Sequence, residues 1–265
     1  MPLFENRVVL ITGGSSGIGR ATALAFAREG AGIAIAARGS ERAQAVVQEV
    51  EAAGARCVYI PADLSRSEDV DRMVRETVNV FGRLDFAFNN AAGDEGILTA
   101  TADLTEEQYD RGMAVNLKAV WLGMKFQIQQ MLKQERPGGA IVNTSSLNGL
   151  GGARMASLYS AAKAGVIAFT KAAAQEYATR NIRINALVAG GYRTPMLEGV
   201  IDRHSGGDPA QRVAVEAQYT SMIPMARIGD PSEAAAAVLW LCSPGASYVT
   251  GHSMIVDGGW SCALR

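Results

Sequence analysis

The chain has 265 residues, of which 48% are apolar and 19% are charged, and its formal net charge is −1. The apolar content excludes an intrinsically disordered chain, and a near-neutral sequence without a basic run predicts no nucleic-acid partner. No window approaches the ~18 uninterrupted apolar residues of a membrane-spanning helix, so no membrane partner is expected.

The cysteines and the N-terminal residues both indicate a cytoplasmic protein. Cys57, Cys242 and Cys262 are scattered and show no CxxC spacing, which favours a reducing compartment. The first residues lack a basic region followed by a long apolar stretch and a cleavage site, so a secretory signal is not expected. The only two histidines, His204 and His252, have no acidic partner at ligand spacing, and no metal site is predicted.

Short, β-rich apolar runs alternate with segments of helical period along the chain. The runs carry too few polar positions to alternate, which is typical of strands buried on both faces of a parallel sheet. They lie at 7–12, 32–36, 56–60, 84–89, 140–145, 183–188 and 253–256. The helical segments run over 18–29, 40–53, 65–82 and 105–134, and others begin near 159 and 230. Caps are predicted at Ser40, Ser65, Thr105 and Asp230.

This alternation predicts an α/β chain built from βαβ units. No linker, low-complexity run or repeat divides residues 1–265, so we expect a single-domain Rossmann fold. Its doubly wound parallel sheet should have about seven strands, with helices on both faces. One segment, 190–229, breaks the rhythm with few strand formers and a Ser-Gly-Gly-Asp-Pro stretch. Long excursions of this kind are often binding loops, and we expect a substrate-binding lid within the domain.

A glycine-rich loop follows the first predicted strand and precedes the first predicted helix. Gly13 permits a tight turn, Gly17 lets the backbone approach a pyrophosphate, and Gly19 allows close packing of helix and sheet. The free N–H groups of the helix N-terminus would then face phosphate oxygens. A plain tight turn between strand and helix is the alternative. A Walker P-loop is excluded, because no Lys-Ser/Thr pair follows the glycines.

Tyr159 and Lys163 are four residues apart at the start of a helical pattern, and therefore share one face. A free phenol has a pKa of about 10, and a nearby ammonium lowers it, which makes tyrosine usable as a general acid/base. Ser146, thirteen residues earlier, could bind the same carbonyl oxygen. Singly, Tyr159 could be a core tyrosine and Lys163 a solvated helix lysine. Together, behind a phosphate loop, they predict a catalytic set.

The end of the second predicted strand indicates the choice between NAD and NADP. An acidic residue at this point binds the ribose 2′-hydroxyl of NAD and repels a 2′-phosphate. Here Ala37 occupies the position, Arg38 follows with a guanidinium suited to phosphate, and Ser40 adds a hydroxyl. These residues predict NADP as the cofactor, with NAD less favoured. The alternative for Arg38 is a solvent-facing arginine at a strand end.

Over essentially its whole length the chain resembles the short-chain dehydrogenase/reductase family of the Tyr-x3-Lys type. The matching motifs lie at 12–19, 62–64, 89–91, 115–117, 143–146, 159–163, 183–186, 193–195 and 256–259. Two positions depart from the family pattern: Ala92 stands where glycine is usual, and Ala189 where proline is usual. Both lie near the expected nicotinamide, so the cofactor pose could differ from that of other members.

The resemblance implies a role for individual residues. Tyr159 would donate or accept the proton, Ser146 would orient the substrate oxygen, and Lys163 would hold the nicotinamide ribose. Asn116 would anchor a water that links Lys163 to solvent. Asp63 and Leu64 would contact the adenine, Asn90 and Ala91 the ribose side, and Thr194 the carboxamide. The full set of expected cofactor contacts is Gly13, Ser15, Ser16, Gly17, Ile18, Gly19, Arg38, Ser40, Asp63, Leu64, Asn90, Ala91, Tyr159, Lys163 and Thr194.

The implied activity is reversible hydride transfer between NADP(H) and a small secondary alcohol or ketone. A non-catalytic nucleotide-binding regulator, and an isomerase or dehydratase on the same fold, remain alternatives. Segments 94–98, 147–155 and 192–225 should shape the pocket, and their apolar residues favour a moderately apolar carbonyl compound. These residues are Leu98, Leu147, Leu150, Met155 and Met196.

A homotetramer is also implied by the resemblance. It would pair the long helices that begin near Thr105 and Leu158, with further contacts near the C-terminus. An apolar face of Val115, Val120 and Met124 fits this pairing, although core packing alone would produce the same pattern. Trp260, after two glycines, is a candidate for a subunit contact.

Overall fold

The computed structural model describes residues 2–262, and a parallel sheet of seven strands forms the centre of that part. The strands are β1 (Val8–Thr12), β2 (Gly32–Ala37), β3 (Cys57–Pro61), β4 (Phe86–Asn89), β5 (Gly139–Ser146), β6 (Ile182–Ala189) and β7 (Ser253–Val256). Their order across the sheet is β3-β2-β1-β4-β5-β6-β7. The chain therefore winds outward from β1 and then outward again from β4, and the predicted doubly wound Rossmann sheet is confirmed.

Helices cover both faces of the sheet. They are α1 (Gly17–Arg28), α2 (Ser40–Ala52), α3 (Ser67–Phe81), α4 (Glu106–Met113), α5 (Ala119–Lys133), α6 (Asn148–Gly151), α7 (Ser157–Tyr177), α8 (Pro195–His204), α9 (Pro209–Ser221) and α10 (Pro231–Cys242). Residues of α1, α2 and α10 share one hydrophobic cluster, and residues of α3, α5 and α7 share another.

The two clusters explain the continuous apolar runs of the strands. In β1, Val9 and Ile11 belong to the cluster on one face, whereas Leu10 belongs to the cluster on the other. Successive side chains of a strand point to opposite faces, so a strand covered on both sides needs apolar residues at every position.

Two of the predicted caps are confirmed and two are wrong. Thr105 and Asp230 form reciprocal capping boxes with the residues three positions on. Ser40 is not a cap, because α2 begins at Ser40 itself after Gly39. Ser65 does not cap α3 either: its hydroxyl donates to Oδ1 of Asp63 at 2.8 Å. The nearby carboxylate competes with the helix end for this hydroxyl.

The long helical segment predicted over 105–134 is interrupted. A π-helical turn, Ala114–Lys118, separates α4 from α5 and carries Asn116. Such turns occur frequently at functional sites, because the extra residue redirects a side chain. Val120 and Met124 of α5 are each 3% exposed and pack in the core of the chain, so the apolar face expected to pair subunits is an internal one.

The excursion between β6 and β7 is helical. It contains α8 and α9, each with proline at its first turn, and their N-caps are Thr194 and Asp208. A small separate cluster holds this region together, with Ile201, Ile223 and Ile228 buried at its centre. The few strand formers in this segment thus reflect two short helices.

Candidate active site

The carboxyl ends of the strands border a cavity of about 830 Å³. It lies where the strand order reverses between β1 and β4, which is the place where doubly wound sheets bind ligands. Most of the predicted site residues line this one cavity. They are Gly13, Ser15, Ser16, Gly17, Ile18, Arg38, Ser40, Asp63, Leu64, Asn90, Ala91, Ser146, Tyr159 and Thr194. Among the described residues, Gly19, Asn116 and Lys163 are predicted site residues that do not line the cavity.

Gly13 and Gly17 each allow a close contact between the loop and another segment. Gly13 and Gly17 have φ angles of +67° and +51°, which L side chains rarely adopt. A Cβ atom on Gly13 would lie 2.9 Å from Cα of Ala91, and one on Gly17 would lie 2.9 Å from Cγ2 of Thr194. The loop is thereby pressed against two other predicted cofactor residues.

Gly19 departs from its expected role in helix–sheet packing. A Cβ atom here would lie 2.3 Å from the carbonyl oxygen of Gly13, so the glycine lets the first turn of α1 close onto its own loop. Within residues 2–262, the Ser16 side chain makes no capping hydrogen bond to α1. The first N–H groups of the helix therefore stay available to an anion in the cavity.

Asn90 holds the glycine loop to the end of β4. Its Nδ2 donates to the carbonyl oxygen of Thr12 at 3.2 Å, and its backbone N–H donates to Oγ1 of Thr12 at 3.0 Å. The backbone N–H of Ala91 donates to the same hydroxyl at 3.2 Å. The Asn90 amide, expected to face a ribose, is thus already committed in part to the loop.

Charged side chains of both signs line the end of the cavity beside β2. The Asp63 carboxylate accepts from the hydroxyl and backbone N–H of Ser65, and these bonds lower its pKa. Arg38 lowers that pKa further by its charge. Arg42, in the first turn of α2, also lines the cavity. Arg42 was not among the predicted cofactor contacts, although it follows Arg38 by only four residues.

Ser146 ends β5 and Tyr159 lies in the first turn of α7, and both face the cavity. Burial raises the pKa of Tyr159 to about 12; the Ser146 hydroxyl lowers it, and the charge of Asp94 raises it. The lowering expected from Lys163 is not found, because Nζ of Lys163 lies 5.6 Å from the centroid of the tyrosine ring and is bonded elsewhere. The phenol is therefore protonated at neutral pH.

Lys163 is fully buried one turn further along α7. Its Nζ donates to the carbonyl oxygen of Thr144 at 2.9 Å, and burial lowers its pKa to about 8. Oδ1 of Asn116 accepts from the backbone N–H of Gly93 at 3.1 Å. Nδ2 of Asn116 and Oγ1 of Thr144 are buried without a hydrogen-bond partner in residues 2–262. Buried polar atoms of this kind commonly hold an ordered water or a ligand.

The residues present fit a nicotinamide dinucleotide. An uncapped helix N-terminus, a glycine loop that admits no Cβ atoms, two carboxylates and two arginines line one continuous cavity. Two buried polar atoms, Nδ2 of Asn116 and Oγ1 of Thr144, have no hydrogen-bond partner among the described residues, and Thr144 lines the cavity and accepts from Lys163 through its carbonyl oxygen.

The remaining wall of the cavity is mainly apolar. Leu147 and Met196 line it as expected, but Leu98, Leu150 and Met155 do not in the part of the chain that the structure describes. The single turn α6 leaves Leu150 45% exposed, and Met155, which has a left-handed backbone, is 39% exposed. Ile97, Tyr192, Leu197, Val200 and Tyr219 also line the wall, and all five lie in the segments expected to shape the pocket. Trp260 lines it from outside those segments and was not predicted to do so. Trp260, a candidate for a subunit contact, thus lines the cavity of its own chain.

In residues 2–262, no group of three or more His, Cys, Asp and Glu side chains is placed to hold a metal ion. Over the same residues, no helix combines the length and apolar character needed to cross a membrane.

Comparison with known proteins places this geometry in one family. A family model described as enoyl-(acyl carrier protein) reductase matches residues 13–261. Levodione reductase of Leifsonia aquatica is 40% identical over 263 residues, covering 98% of this chain and 96% of that protein. Cyclohexanol dehydrogenase of an Acinetobacter species is 40% identical over 258 residues, covering 97% and 96%.

Two further comparisons agree. 2,5-Dichloro-2,5-cyclohexadiene-1,4-diol dehydrogenase of Sphingobium indicum is 38% identical over 257 residues, covering 97% of this chain and 98% of that protein. A crystal structure of levodione reductase has a TM-score of 0.93 at 38% identity, covering 98% of this chain and all of the other. The chain belongs to the short-chain dehydrogenase/reductase family of oxidoreductases, whose members use nicotinamide dinucleotides.

Proposed function

We propose that this protein is an NADP(H)-dependent oxidoreductase that interconverts an apolar cyclic ketone and its secondary alcohol. One observation carries the proposal: Ser146 and Tyr159 line the same cavity as the glycine loop, and an apolar wall completes it. Relatives named for cyclohexanol and levodione support a compact carbonyl substrate.

The cofactor would lie along the cavity, with a separate group of residues at each part of the dinucleotide. Ser15, Ser16 and the first turn of α1 would bind the pyrophosphate, and Asp63 with Leu64 would bind the adenine end. Ala91 and Thr194 border the nicotinamide end, where Lys163 would hold the ribose. When bound, the nicotinamide supplies or accepts the hydride.

Tyr159 would give its proton to the substrate oxygen as that oxygen gains charge, and Ser146 would donate a hydrogen bond to the same atom. The pKa of about 12 keeps the phenol protonated, which suits ketone reduction. Lys163, with a pKa near 8, can return a proton towards Tyr159. The unpartnered Nδ2 of Asn116 would hold a water on the path that resupplies Lys163.

The preference for NADP rests on two guanidinium groups beside the end of β2. Ala37 brings no carboxylate there, and Arg38 and Arg42 line that end of the cavity with Ser40, beside the carboxylates of Asp63 and Glu41. A guanidinium forms paired, charge-assisted hydrogen bonds to phosphate. Arg42 would be a second cationic contact.

We also propose a homotetramer, with contact residues other than the expected face of Val115, Val120 and Met124. Three large aromatic side chains are exposed on the helices expected to pair: Tyr109 on α4, Trp121 on α5 and Phe169 on α7 are 53%, 41% and 41% exposed. Exposed aromatic groups on neighbouring helices are typical of an association surface.

The test is reduction of a ketone panel, including cyclohexanone, with NADPH and separately with NADH, followed by loss of nicotinamide absorbance. We expect turnover with NADPH and weaker turnover with NADH. Binding of NADPH without turnover would favour the regulator, and substrate conversion without net cofactor change would favour the isomerase or dehydratase.

A further inference from the structure

Two aromatic rings stand together in the wall of the cavity. Tyr219 of α9 and Trp260, which follows β7, have ring centroids 6.3 Å apart with an angle of 85° between the planes. Both are half-buried and both line the cavity that contains Ser146 and Tyr159. The pair therefore joins the excursion 190–229 to the last described segment of the chain.

Trp260 is held in this position by a short, tightly bonded turn. Oδ1 of Asp257 accepts from the backbone N–H of Gly259 at 2.9 Å, and Oδ2 accepts from Ser261 at 2.7 Å. Gly258 and Gly259 have φ angles of +64° and +89°, so the turn needs glycine at both positions. These bonds and angles fix the main chain on both sides of Trp260.

The space for the ring is provided by Gly191, two residues after the end of β6. A Cβ atom on Gly191 would lie 3.2 Å from Cζ3 of Trp260 and 3.9 Å from Cδ2 of Leu197 on α8. The carbonyl oxygen of Gly258 also accepts from the N–H of Met225 at 3.1 Å, which ties the end of the excursion to the same turn. Three separate segments thus converge on one aromatic wall.

We infer that Tyr219 and Trp260 form a ring-recognition subsite that gives this enzyme its preference for cyclic over small acyclic ketones. The inference rests on the proposed function and adds the residues that select the substrate. A rigid ring held at Ser146 and Tyr159 can present a whole face to flat aromatic side chains with little loss of conformational entropy. A small acyclic ketone presents less apolar surface to the same wall.

The proposed recognition of the substrate ring does not depend on the polar atoms of the two side chains. The Tyr219 hydroxyl and the Trp260 indole N–H form no hydrogen bond among the described residues, so neither tip orients its ring. Tyr219→Phe should therefore keep the preference for cyclic ketones, and Tyr219→Ala should lose it.

The experiment compares kcat/KM for cyclohexanone and acetone with NADPH. Trp260→Ala and Tyr219→Ala should each lower the ratio of the two values about tenfold, mainly by raising KM for cyclohexanone. Tyr248→Ala is the matched control, because Tyr248 is a fully exposed aromatic residue remote from the cavity wall. An equal loss for both ketones would mean that the pair only packs the fold, and it would overturn the inference.

A second measurement does not depend on turnover. The Trp121→Phe/Trp240→Phe variant leaves Trp260 as the only tryptophan of the chain. Titrating cyclohexanol into this variant after saturation with NADPH, with which the alcohol cannot react, should change the Trp260 emission in a saturable way. No change at saturation would overturn the inference. If the wild type reduces neither ketone, the proposed function fails, whereas this binding signal still tests the subsite.

Discussion

Lys163 donates a hydrogen bond from Nζ to the carbonyl oxygen of Thr144 at 2.9 Å, across the interface between α7 and β5. This single bond fixes a fully buried cation beneath the cavity floor, about one helical turn from Tyr159. Because a buried ammonium is costly unless it is paired with an opposite charge, the protein carries a stability cost at the point where its chemistry is proposed to occur.

We expect Lys163→Met to stabilise the cofactor-free protein at pH 7. The pKa of Lys163 falls from 10.5 to about 8 on folding, so the unfolded chain binds the proton more tightly. The resulting cost, about 3 kcal/mol at most, is fully present below pH 8 and disappears as the pH rises to 10.5. Loss of the bond to Thr144 offsets part of it, leaving a gain of roughly 1–3 kcal/mol.

Urea unfolding at pH 7 and pH 10 measures this difference. Lys171→Met is the control, because Lys171 is exposed on the same helix. The advantage of Lys163→Met over wild type should shrink at pH 10, and the control should show no such trend. A variant less stable than wild type at pH 7 would contradict the expected cost of burial.

Gly19→Ala should disrupt the loop, whereas Gly151→Ala should be tolerated. The Cβ atom on Gly19 would lie 2.3 Å from the Gly13 oxygen, a backbone atom that cannot move freely, while one on Gly151, which does not line the cavity, has no described neighbour within 4 Å. We expect a loss of about 1–3 kcal/mol and weakened NADPH binding for Gly19→Ala. Thermal unfolding and cofactor titration of both variants check this, and equal behaviour of the two would refute it.

Arg38→Ala should weaken NADPH binding roughly 10- to 150-fold and leave NADH binding nearly unchanged, because only NADPH carries the 2′-phosphate. Ala37→Asp should reverse the preference, since a carboxylate repels that phosphate and binds the 2′-hydroxyl of NADH. Arg42→Ala should weaken NADPH binding to a smaller extent. Direct binding titrations with both cofactors measure all three variants; equal losses for both cofactors in Arg38→Ala would assign the arginine a structural role.

Trp121→Asp combined with Phe169→Asp should lower the oligomeric state. A carboxylate in an apolar contact leaves an uncompensated buried charge, which prevents association without disturbing the core beneath. Light scattering should show a tetramer for wild type and smaller species for the variant. A wild-type protein that is monomeric at every concentration would contradict the proposed tetramer.

The fold and most residues that line the cavity could be predicted from sequence because their signals are local. The continuous apolar run of β1, the glycine spacing of 13–19 and the pair Tyr159–Lys163 each lie within a few residues of one another. Trp260 was missed because its neighbours, Gly191 and Tyr219, are tens of residues away, and only the folded chain brings them together. The raised pKa of Tyr159 could not be predicted from sequence either, because it depends on burial and on the bond that directs Nζ of Lys163 towards Thr144.

The most direct test of the central claim is the activity of Tyr159→Phe. This change removes the proton donor and keeps the buried ring, so NADPH binding and the unfolding temperature should stay close to wild type. General acid catalysis is worth about 10² to 10⁴ in rate, and kcat for ketone reduction should fall by at least the lower figure. A variant that binds NADPH normally and retains more than about half of the wild-type kcat would contradict the assignment of Tyr159 as the proton donor.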